Sequence, residues 1–229
     1  MYGKLIKLLN YFFQGIISLI FPPLCIICDI RLTYEKVICT QCWDKLQTAN
    51  QELIDSKKLP DLIDKLYAAF LFDETFQKII HALKYSKNKS IGTKIGELSA
   101  QNLSSNFKNM SDKTLLIPIP LHPVKYRERG YNQAAEIAQA ISKHSSIPVN
   151  NRIIKRVKNT ATQTKMDREQ RIENMQNAFE LAAPVPDVIH SVILVDDVFT
   201  TGSTMNSAAK ILKENGVKQV FAFAAALPE

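Results

Sequence analysis

The stretch from residue 192 to residue 204 constrains the fold more than any other part of the chain. It reads Val-Ile-Leu-Val-Asp-Asp-Val-Phe-Thr-Thr-Gly-Ser-Thr. Residues 192–195 are a continuous apolar run, as expected of a strand that is buried on both faces of a parallel sheet. Two aspartates follow this run, and a turn of hydroxyl residues and glycine then leads into a helical pattern at 205–215. The sequence therefore predicts a strand, an acidic pair, a polar turn and a helix, in that order.

This order of elements suits a sugar phosphate. Ligands of open α/β sheets bind outside the carboxyl ends of the strands, and the N–H groups at a helix N-terminus bind phosphate. The carboxylates of Asp196 and Asp197 suit sugar hydroxyls or a bound Mg²⁺. The simpler alternative is a buried strand before a helix that is capped by Ser203 or Thr201. Capping accounts for one hydroxyl and one carboxylate, so the sequence favours the binding site.

All four cysteines of the chain lie in one window. Their spacing is Cys25-x2-Cys28-x10-Cys39-x2-Cys42. Two Cys-x-x-Cys pairs joined by a short insert are typical of a closed, structural Zn²⁺ site with four thiolate ligands. We expect the insert to form two short strands, around residues 32–34 and 36–38. Two disulfides are the alternative for the same four residues.

The positive charge is concentrated in one segment. The 229 residues carry a net charge of +7, and residues 122–171 alone hold eleven Lys or Arg against four Asp or Glu. The other parts of the chain hold eighteen of each sign, which cancel. A basic surface of this kind suits pyrophosphate, nucleic acid or both, and a solvated basic face is the plainer alternative.

Strand and helix patterns alternate and predict an α/β fold with a doubly wound, mostly parallel sheet. Three regions are expected: an amphipathic helix at 1–21, the zinc module at 22–48 and a large domain at 62–229, with a polar linker at 48–61. The predicted strands are 67–72, 115–120, 177–181, 192–195 and 219–225. The predicted helices are 73–85, 91–107, 132–143 and 205–215, and a charged loop is expected at 155–171.

The N-terminal helix has a wide apolar stripe, so we expect it to dock on the protein or to lie in a membrane surface. Polar residues interrupt every run of 18 residues, so no transmembrane helix is expected. No small-residue cleavage site follows the helix, which argues against a secretory signal and for a cytoplasmic protein.

Residues 192–204 resemble, at every defining position, the signature of type I phosphoribosyltransferases for 5-phosphoribosyl 1-pyrophosphate (PRPP). The resemblance implies that Asp196 and Asp197 hold the ribose 2′- and 3′-hydroxyls and act with Mg²⁺. It implies that the 5′-phosphate lies in a loop formed by Thr200, Thr201, Gly202, Ser203 and Thr204.

Further blocks resemble one subgroup, the ComF (ComFC/GntX-like) family of bacterial competence proteins. These blocks are His81-Ala82-Leu83-Lys84-Tyr85, Pro118-Ile119-Pro120-Leu121-His122, Arg127-Glu128-Arg129-Gly130-Tyr131-Asn132-Gln133, Thr162-Gln163-Thr164 and Asn177-Ala178-Phe179. Together with the cysteine window, the resemblance covers residues 22–226. It implies a type I phosphoribosyltransferase-like fold and a role in natural transformation, in which incoming single-stranded DNA is handled at the cytoplasmic face of the inner membrane.

Basic residues in and between these blocks are candidate ligand contacts. Arg127 and Arg129, beside Gly130, are expected to grip a diphosphate bidentately and to assist its departure. Four side chains of the charged loop are expected to close over the site: Arg156, Lys158, Lys165 and Arg168. Together with Tyr85, Tyr126 and Tyr131, the same basic stretch would stack on single-stranded DNA and hold it.

Three functions are compatible with these residues. The first is transfer of the PRPP ribose to an acceptor nitrogen. The second is a non-catalytic protein that senses PRPP or a nucleotide and binds single-stranded DNA. The third is a salvage phosphoribosyltransferase with no connection to DNA. The inner-membrane surface or membrane-bound DNA-uptake proteins are expected partners, and the sequence identifies neither the acceptor nor the oligomeric state.

Overall fold

The computed structural model describes residues 22–33, 37–108, 110, 112–158 and 178–229. The chain up to Leu46 and the chain from Gln47 to Glu229 form two separate compact units. The predicted N-terminal helix and most of the predicted charged loop, including Lys165 and Arg168, lie outside the described residues. Among the helices of the described ranges, none is long and apolar enough to cross a membrane.

Helices and strands alternate through the larger unit as predicted. The helices are α1 (Thr40–Asp44), α2 (Gln51–Ser56), α3 (Glu74–Tyr85), α4 (Lys89–Asn102), α5 (Ser104–Lys108), α6 (Pro123–Arg129), α7 (Gln133–Ser145) and α8 (Ser203–Glu214). The strands are β1 (Lys65–Leu71), β2 (Thr114–Pro118), β3 (Ile154–Arg156), β4 (Phe179–Leu181), β5 (Ser191–Val198) and β6 (Gln219–Leu227).

Four of these strands form a parallel sheet in the order β1-β6-β5-β2. Val192 to Val195 in the middle of β5 are completely buried, as their unbroken apolar run predicts. The register pairs Val195 with Pro118 of β2 and Asp196 with Ala224 of β6. The strands therefore end beside one another, and the segments that follow them meet at one edge of the sheet.

Helices cover both faces of this sheet, which confirms the doubly wound α/β fold. On one face, Leu194 packs in a core with Phe179 of β4 and Leu212 of α8. On the other face, α4 and α7 approach each other closely. A Cβ atom on Gly96 of α4 would lie 2.5 Å from the carbonyl oxygen of Ile137 and 2.6 Å from the Cβ of Ala140. Only a residue without a side chain allows this spacing.

The predicted linker at 48–61 is instead part of the larger unit. Thr48 forms an antiparallel bridge with Phe70 of β1, and the N–H of Leu71 donates to the carbonyl of Gln47 at 2.9 Å. The side chain of Asn50 caps α2 by accepting from the N–H of Leu53 at 2.8 Å. These contacts attach the segment to the edge strand of the sheet, so polar composition alone misidentified it.

Two smaller predictions also need correction. The single helix expected at 91–107 is divided into α4 and α5 at Leu103. The charged loop expected from residue 155 overlaps a strand, β3, which pairs antiparallel with β4. The two short strands expected at 32–34 and 36–38 lie partly outside the described residues, and beside them Leu24 and Arg31 form an antiparallel bridge.

Candidate functional site

The four cysteines of the N-terminal unit come together as one cluster. The sulfur atoms of Cys25, Cys28, Cys39 and Cys42 all lie within 4.8 Å of one another. The Sγ atoms of Cys28 and Cys39 are 3.7 Å apart. A tetrahedral site with Zn–S bonds of about 2.3 Å requires sulfurs roughly 3.8 Å apart, whereas a disulfide requires about 2.05 Å. All four cysteines are free thiols in this structure, and the cluster fits a zinc ion with four thiolate ligands better than two disulfides.

Backbone donors around Cys25 favour its thiolate form. The N–H of Cys39 donates to the Cys25 sulfur at 3.4 Å. Burial raises the pKa of the Cys25 thiol, but the hydrogen bonds from the backbone of Cys39, Cys28 and Ile27 outweigh burial and bring that pKa to about 6. Because zinc binds the thiolate, these N–H groups suit a metal ligand.

In the larger unit, Asp196 and Asp197 close the buried part of β5 at the carboxyl edge of the sheet. Successive side chains of a strand point to opposite faces. Asp196 therefore follows Leu194 toward the face of β4 and α8, and Asp197 points toward the face of α4 and α7. The N–H of Asp197 donates to Oδ1 of Asp196 at 2.8 Å. The two carboxylates are adjacent but have different surroundings.

Asp197 is paired with Lys84 near the end of α3. The Lys84 Nζ lies 2.7 Å from Oδ2 of Asp197, and the two side chains are 25% and 13% exposed. Helix α3 begins at this same edge, where Asp73 follows β1 and caps the helix by accepting from the N–H of Phe76 at 2.7 Å. Helix α3 runs along this edge of the sheet from the end of β1 toward the end of β5. Lys84, near the C-terminus of α3, therefore lies beside Asp197.

Asp196 lies in a buried environment within electrostatic range of Arg156 at the end of β3. Burial raises the pKa of Asp196 to about 7, and the negative charge of Asp197 contributes to this rise. The positive charges of Lys84 and Arg156 act in the opposite direction. Burial also lowers the pKa of Arg156, whose guanidinium lies 5.6 Å from the ring centre of Phe179. Near neutral pH, Asp196 is therefore poised between its protonated and ionised forms.

The segment after β5 forms a tight turn at the N-terminus of α8. Gly202 caps the helix with φ +70°, in the left-handed region. The N–H of Ser203 donates to Oγ1 of Thr201 at 3.3 Å, and the Thr201 hydroxyl donates to Oγ of Ser203 at 2.9 Å. The capping residue, Gly202, has no side chain, so Oγ1 of Thr201 accepts the hydrogen bond from the first N–H of α8 instead. The turn presents hydroxyls and helix N–H groups beside the two carboxylates.

Three of the sequence blocks meet in space near the end of α3. The hydroxyl of Tyr131 is buried and donates to the carbonyl of Leu83, immediately before Lys84. The side-chain amide of Asn132 donates to the carbonyl of Ile119 at 2.9 Å and accepts from the N–H of Ala134 at 3.1 Å. These hydrogen bonds connect the end of α3, the segment after β2 and the start of α7, and so fix the position of the backbone at Lys84.

A cationic pocket of about 110 Å³ lies between α3 and α6. It is lined by Lys84, Tyr85, Lys87, Lys125, Glu128 and Arg129. Burial lowers the pKa of Lys125, and the positive charges of Arg156 and Arg129 lower it further. Lysines and an arginine so close together favour an anion, and phosphate is the common biological anion that such groups bind.

The structure separates the two arginines that were expected to act together. Arg127 and Arg129 lie two residues apart on α6, so they point to different sides of the helix. Arg129 lines the pocket and donates to Oε1 of Gln133 at 2.8 Å, while Arg127 is exposed. Of the loop residues, Arg156 lies close enough for its charge to act on Asp196, and Lys158 is exposed beyond β3.

Sequence reasoning missed Lys84 and Lys125 as site residues. Lys84 belongs to the block His81-Ala82-Leu83-Lys84-Tyr85, but nothing in the sequence indicates that α3 runs along the sheet edge to Asp197. A signal for Lys125 does exist. Pro123 at the first helical position and Gly130 just past the end are typical of a short helix. On such a helix Lys125 and Arg129 are four residues apart and share a face.

Replacing Asp196 with Asn is expected to stabilise the ligand-free protein in a pH-dependent way. Because folding raises the pKa of this carboxyl from about 3.8 to about 7, ionisation opposes folding. The cost is absent below about pH 4, increases up to about pH 7 and is constant above it. Urea unfolding of wild type and Asp196→Asn between pH 4 and 8 should therefore show a widening difference. Asp187→Asn, on an exposed loop, is the control. A constant difference across this range would contradict the assignment.

Two domain families match the chain. The double zinc ribbon domain matches residues 16–53, which contain the four cysteines. The phosphoribosyl transferase domain matches residues 128–226, which contain the two aspartates and the turn before α8. The four-cysteine cluster is accordingly a structural zinc site, and the larger unit has a phosphoribosyltransferase-like fold.

Several curated proteins are similar over most of the chain. Competence protein F of Haemophilus influenzae is 31% identical over 207 residues, which cover 86% of this chain and 82% of that protein. DNA utilization protein YhgH of Escherichia coli K12 is 26% identical over 201 residues, with 86% and 87% covered. Competence protein ComFC of Streptococcus pneumoniae is 30% identical over 132 residues, with 54% and 52% covered.

The matches among solved structures are more distant. A hypoxanthine phosphoribosyltransferase from Staphylococcus aureus matches 60% of this chain and 63% of its own, with 11% identity and a TM-score of 0.35. The AQ2163 protein of Aquifex aeolicus matches 70% and 87%, with 12% identity and a TM-score of 0.35.

Proposed function

The chain belongs to the competence protein F family, and from that premise we propose that its larger unit binds PRPP at the carboxyl edge of the sheet, in a role in natural transformation. One observation carries the proposal. At this edge Asp196 and Asp197 lie beside the turn at the start of α8 and between cations from both faces of the sheet. The turn and the cations suit phosphate groups, and the carboxylates between them suit sugar hydroxyls.

Each part of PRPP has a suitable group. The turn from Thr200 to Thr204 suits the 5′-phosphate, and the two carboxylates suit the ribose hydroxyls. The cations beyond Asp197, including Lys125 and Arg129, suit the diphosphate. Oxygens of Asp196 and Asp197 would also hold Mg²⁺, which neutralises diphosphate charge when it is bound.

Phosphoribosyl transfer is the chemistry that this arrangement would assist. The bond between ribose C1 and the diphosphate oxygen breaks, the bonding electrons leave with the diphosphate, and an acceptor nitrogen bonds to C1. Negative charge accumulates on the leaving group, so fixed cations beside it lower the barrier. Arg129 and Lys125 would serve this role, and the acceptor is the open part of the reaction.

Asp197→Asn tests the binding proposal. A carboxylate that accepts from ribose hydroxyls contributes about 1.5–3 kcal/mol per hydrogen bond, so we expect PRPP affinity to fall by about 10–100-fold. Titration calorimetry with PRPP and Mg²⁺ measures this change, and circular dichroism checks that the variant folds. Asp187→Asn removes an exposed carboxylate elsewhere and should bind like wild type. Equal affinity in Asp197→Asn and wild type would refute the site.

We also propose that single-stranded DNA binds the face of α3 and α6, as the family's role in transformation implies, at the cytoplasmic side of the inner membrane. The rings of His81 and Tyr85 lie 4.7 Å apart on the surface of α3. Tyr85 is 66% exposed and Tyr126 is 51% exposed. Exposed aromatic rings beside cations such as Lys87 and Arg127 are the usual means of holding an unpaired strand.

Tyr85→Ala and Tyr126→Ala test the DNA proposal. Stacking of a base on an aromatic ring contributes about 1–3 kcal/mol, so each change should weaken binding of a labelled oligonucleotide by about 5–150-fold. Affinity should also decrease steeply with salt, because phosphate contacts release counterions. Lys210→Gln, an exposed change on α8, is the control. Unchanged affinity in both tyrosine variants would place DNA elsewhere.

A further inference from the structure

We propose that Lys84 couples two parts of the ligand site, and this inference rests on the proposed function. In the free protein Lys84 holds Asp197. When a phosphate-type anion enters the adjacent pocket, the lysine turns to it and releases the carboxylate for a sugar hydroxyl. Ligands at the carboxylates and in the pocket then bind cooperatively, and Lys84 is the positioning residue that links them.

One ammonium group serves both places. Its nitrogen is 2.7 Å from Oδ2 of Asp197, and the same side chain lines the pocket beside Tyr85 and Arg129. A quarter of the Lys84 side chain is exposed, so it has room to move without opening the core. A lysine also has a compact charge on a flexible stem, which lets it change partner by rotation of the side chain alone.

The positive charge of the pocket explains why Lys84 would exchange Asp197 for an anion. Four cations line the pocket, Lys84, Lys87, Lys125 and Arg129, against one carboxylate, Glu128. The positive charge of Lys84 itself lowers the pKa of Lys125, together with Arg156 and Arg129 after the larger effect of burial. Lys84 and Lys125 therefore repel each other in the free protein. An anion between them turns this repulsion into attraction and draws Lys84 inward.

The backbone at this point is fixed, so only the side chain has to move. Leu83 is fully buried, and its carbonyl accepts from the buried hydroxyl of Tyr131. The same hydroxyl lies 3.4 Å from the carbonyl of Asn88, just beyond the end of α3. The backbone of Lys84 therefore stays at a fixed distance from Asp197 and from the pocket, and the ammonium group moves between them by rotation of the side chain.

The sign of the coupling follows from competition. While Lys84 is bonded to Asp197, it competes with any hydroxyl that would donate to that carboxylate. An anion that attracts Lys84 removes the competitor, so it should strengthen sugar binding. Coupling between equilibria is reciprocal, so the sugar should strengthen anion binding by the same factor.

Two small probes separate the halves of the site. Ribose 5-phosphate has the sugar and the 5′-phosphate, and inorganic pyrophosphate has only the anion. Titration calorimetry at constant Mg²⁺ measures each alone and each with the other saturating. In wild type we expect each probe to increase the affinity of the other at least about fivefold, at the lower end of ordinary coupling.

Variants of two lysines make the test specific. Lys84→Gln should weaken pyrophosphate binding, leave ribose 5-phosphate bound at least as tightly as in wild type, and abolish the coupling. Lys84→Arg keeps the charge and should retain part of the coupling. Lys87→Gln is the matched control, since Lys87 lines the pocket without an ion pair to Asp197. It should weaken pyrophosphate and keep the coupling.

The outcomes distinguish the two proposals. If both probes bind to wild type but without mutual effect, the role of Lys84 is refuted and the PRPP site stands. Equal weakening of both probes by Lys84→Gln would mean a merely structural lysine and would also refute the inference. If ribose 5-phosphate does not bind to wild type, the proposed function itself is overturned, and the inference with it.

Discussion

Removal of zinc is expected to unfold the N-terminal unit while the unit from Gln47 to Glu229 stays folded. The described part of the smaller unit has few buried apolar side chains besides the cysteines, chiefly Leu32, Ile38 and Trp43. A segment this short cannot bury enough apolar surface to offset its chain entropy. Structural zinc contributes about 10–16 kcal/mol of apparent binding free energy at neutral pH, which is larger than any single contact in the unit could supply.

The chain carries its own reporter for this experiment. Trp43 is the only tryptophan, it follows Cys42 directly, and it is 9% exposed. Chelation or Cys39→Ser should shift its fluorescence to the red and remove the bound metal, whereas the circular dichroism of the larger unit persists. Gln41→Ala, an exposed change between two ligands, should alter neither signal. Metal content below about half an equivalent in the reduced wild type would contradict a zinc site with four cysteine ligands.

The features that sequence predicted well are those that depend on neighbouring residues only. The apolar run before Asp196 does not alternate with polar residues. This pattern predicts a strand that is buried on both faces, as β5 is. Helix α3 begins after Asp73 and α7 after Asn132, and in each case the side chain accepts a hydrogen bond from the first turn of the helix. Local chemistry determines such boundaries, so they can be derived without the fold.

The features that were missed depend on where distant elements meet. Residues 48–61 have the composition of a linker, and the pairing of Thr48 and Ala49 with the edge of β1 cannot be read from that composition. In the sequence Lys84 is an ordinary lysine near the end of a helix. Only the packing of α3 along the sheet edge places it beside Asp197. Spacing in sequence does not report such proximity, since the direction of a helix is determined by packing.

The division of labour between the two aspartates is a consequence of strand geometry. Neighbouring residues on β5 point to opposite faces, and only Asp197 forms a salt bridge with Lys84, whereas Asp196 experiences the charges of both Lys84 and Arg156 and is dominated by burial. The resemblance to known signatures gave both residues one role. The structure instead gives them different electrostatic surroundings, with one carboxyl close to its titration point at neutral pH and the other held in an ion pair.

Gly202→Ala is expected to disrupt the turn at the start of α8. A Cβ atom at this position would lie 2.6 Å from the ring of Phe199 and 2.6 Å from the ring of Pro60. The backbone also has φ +70°, which costs a residue with a side chain about 1–2 kcal/mol. With overpacking added, we expect a loss of about 2–5 kcal/mol in the free energy of unfolding.

The matched control is at the other end of the same helix. Gly216 follows α8 with φ +92°, and a Cβ there would meet nothing within 4 Å. Gly216→Ala should therefore cost only the backbone term of about 1–2 kcal/mol and leave PRPP affinity unchanged. Gly202→Ala should lose both stability and PRPP binding, because Phe199 or the turn must move to admit the methyl group. Urea unfolding and PRPP titration of the two variants would measure the difference, and equal effects in both would show that the packing around Gly202 does not shape the site.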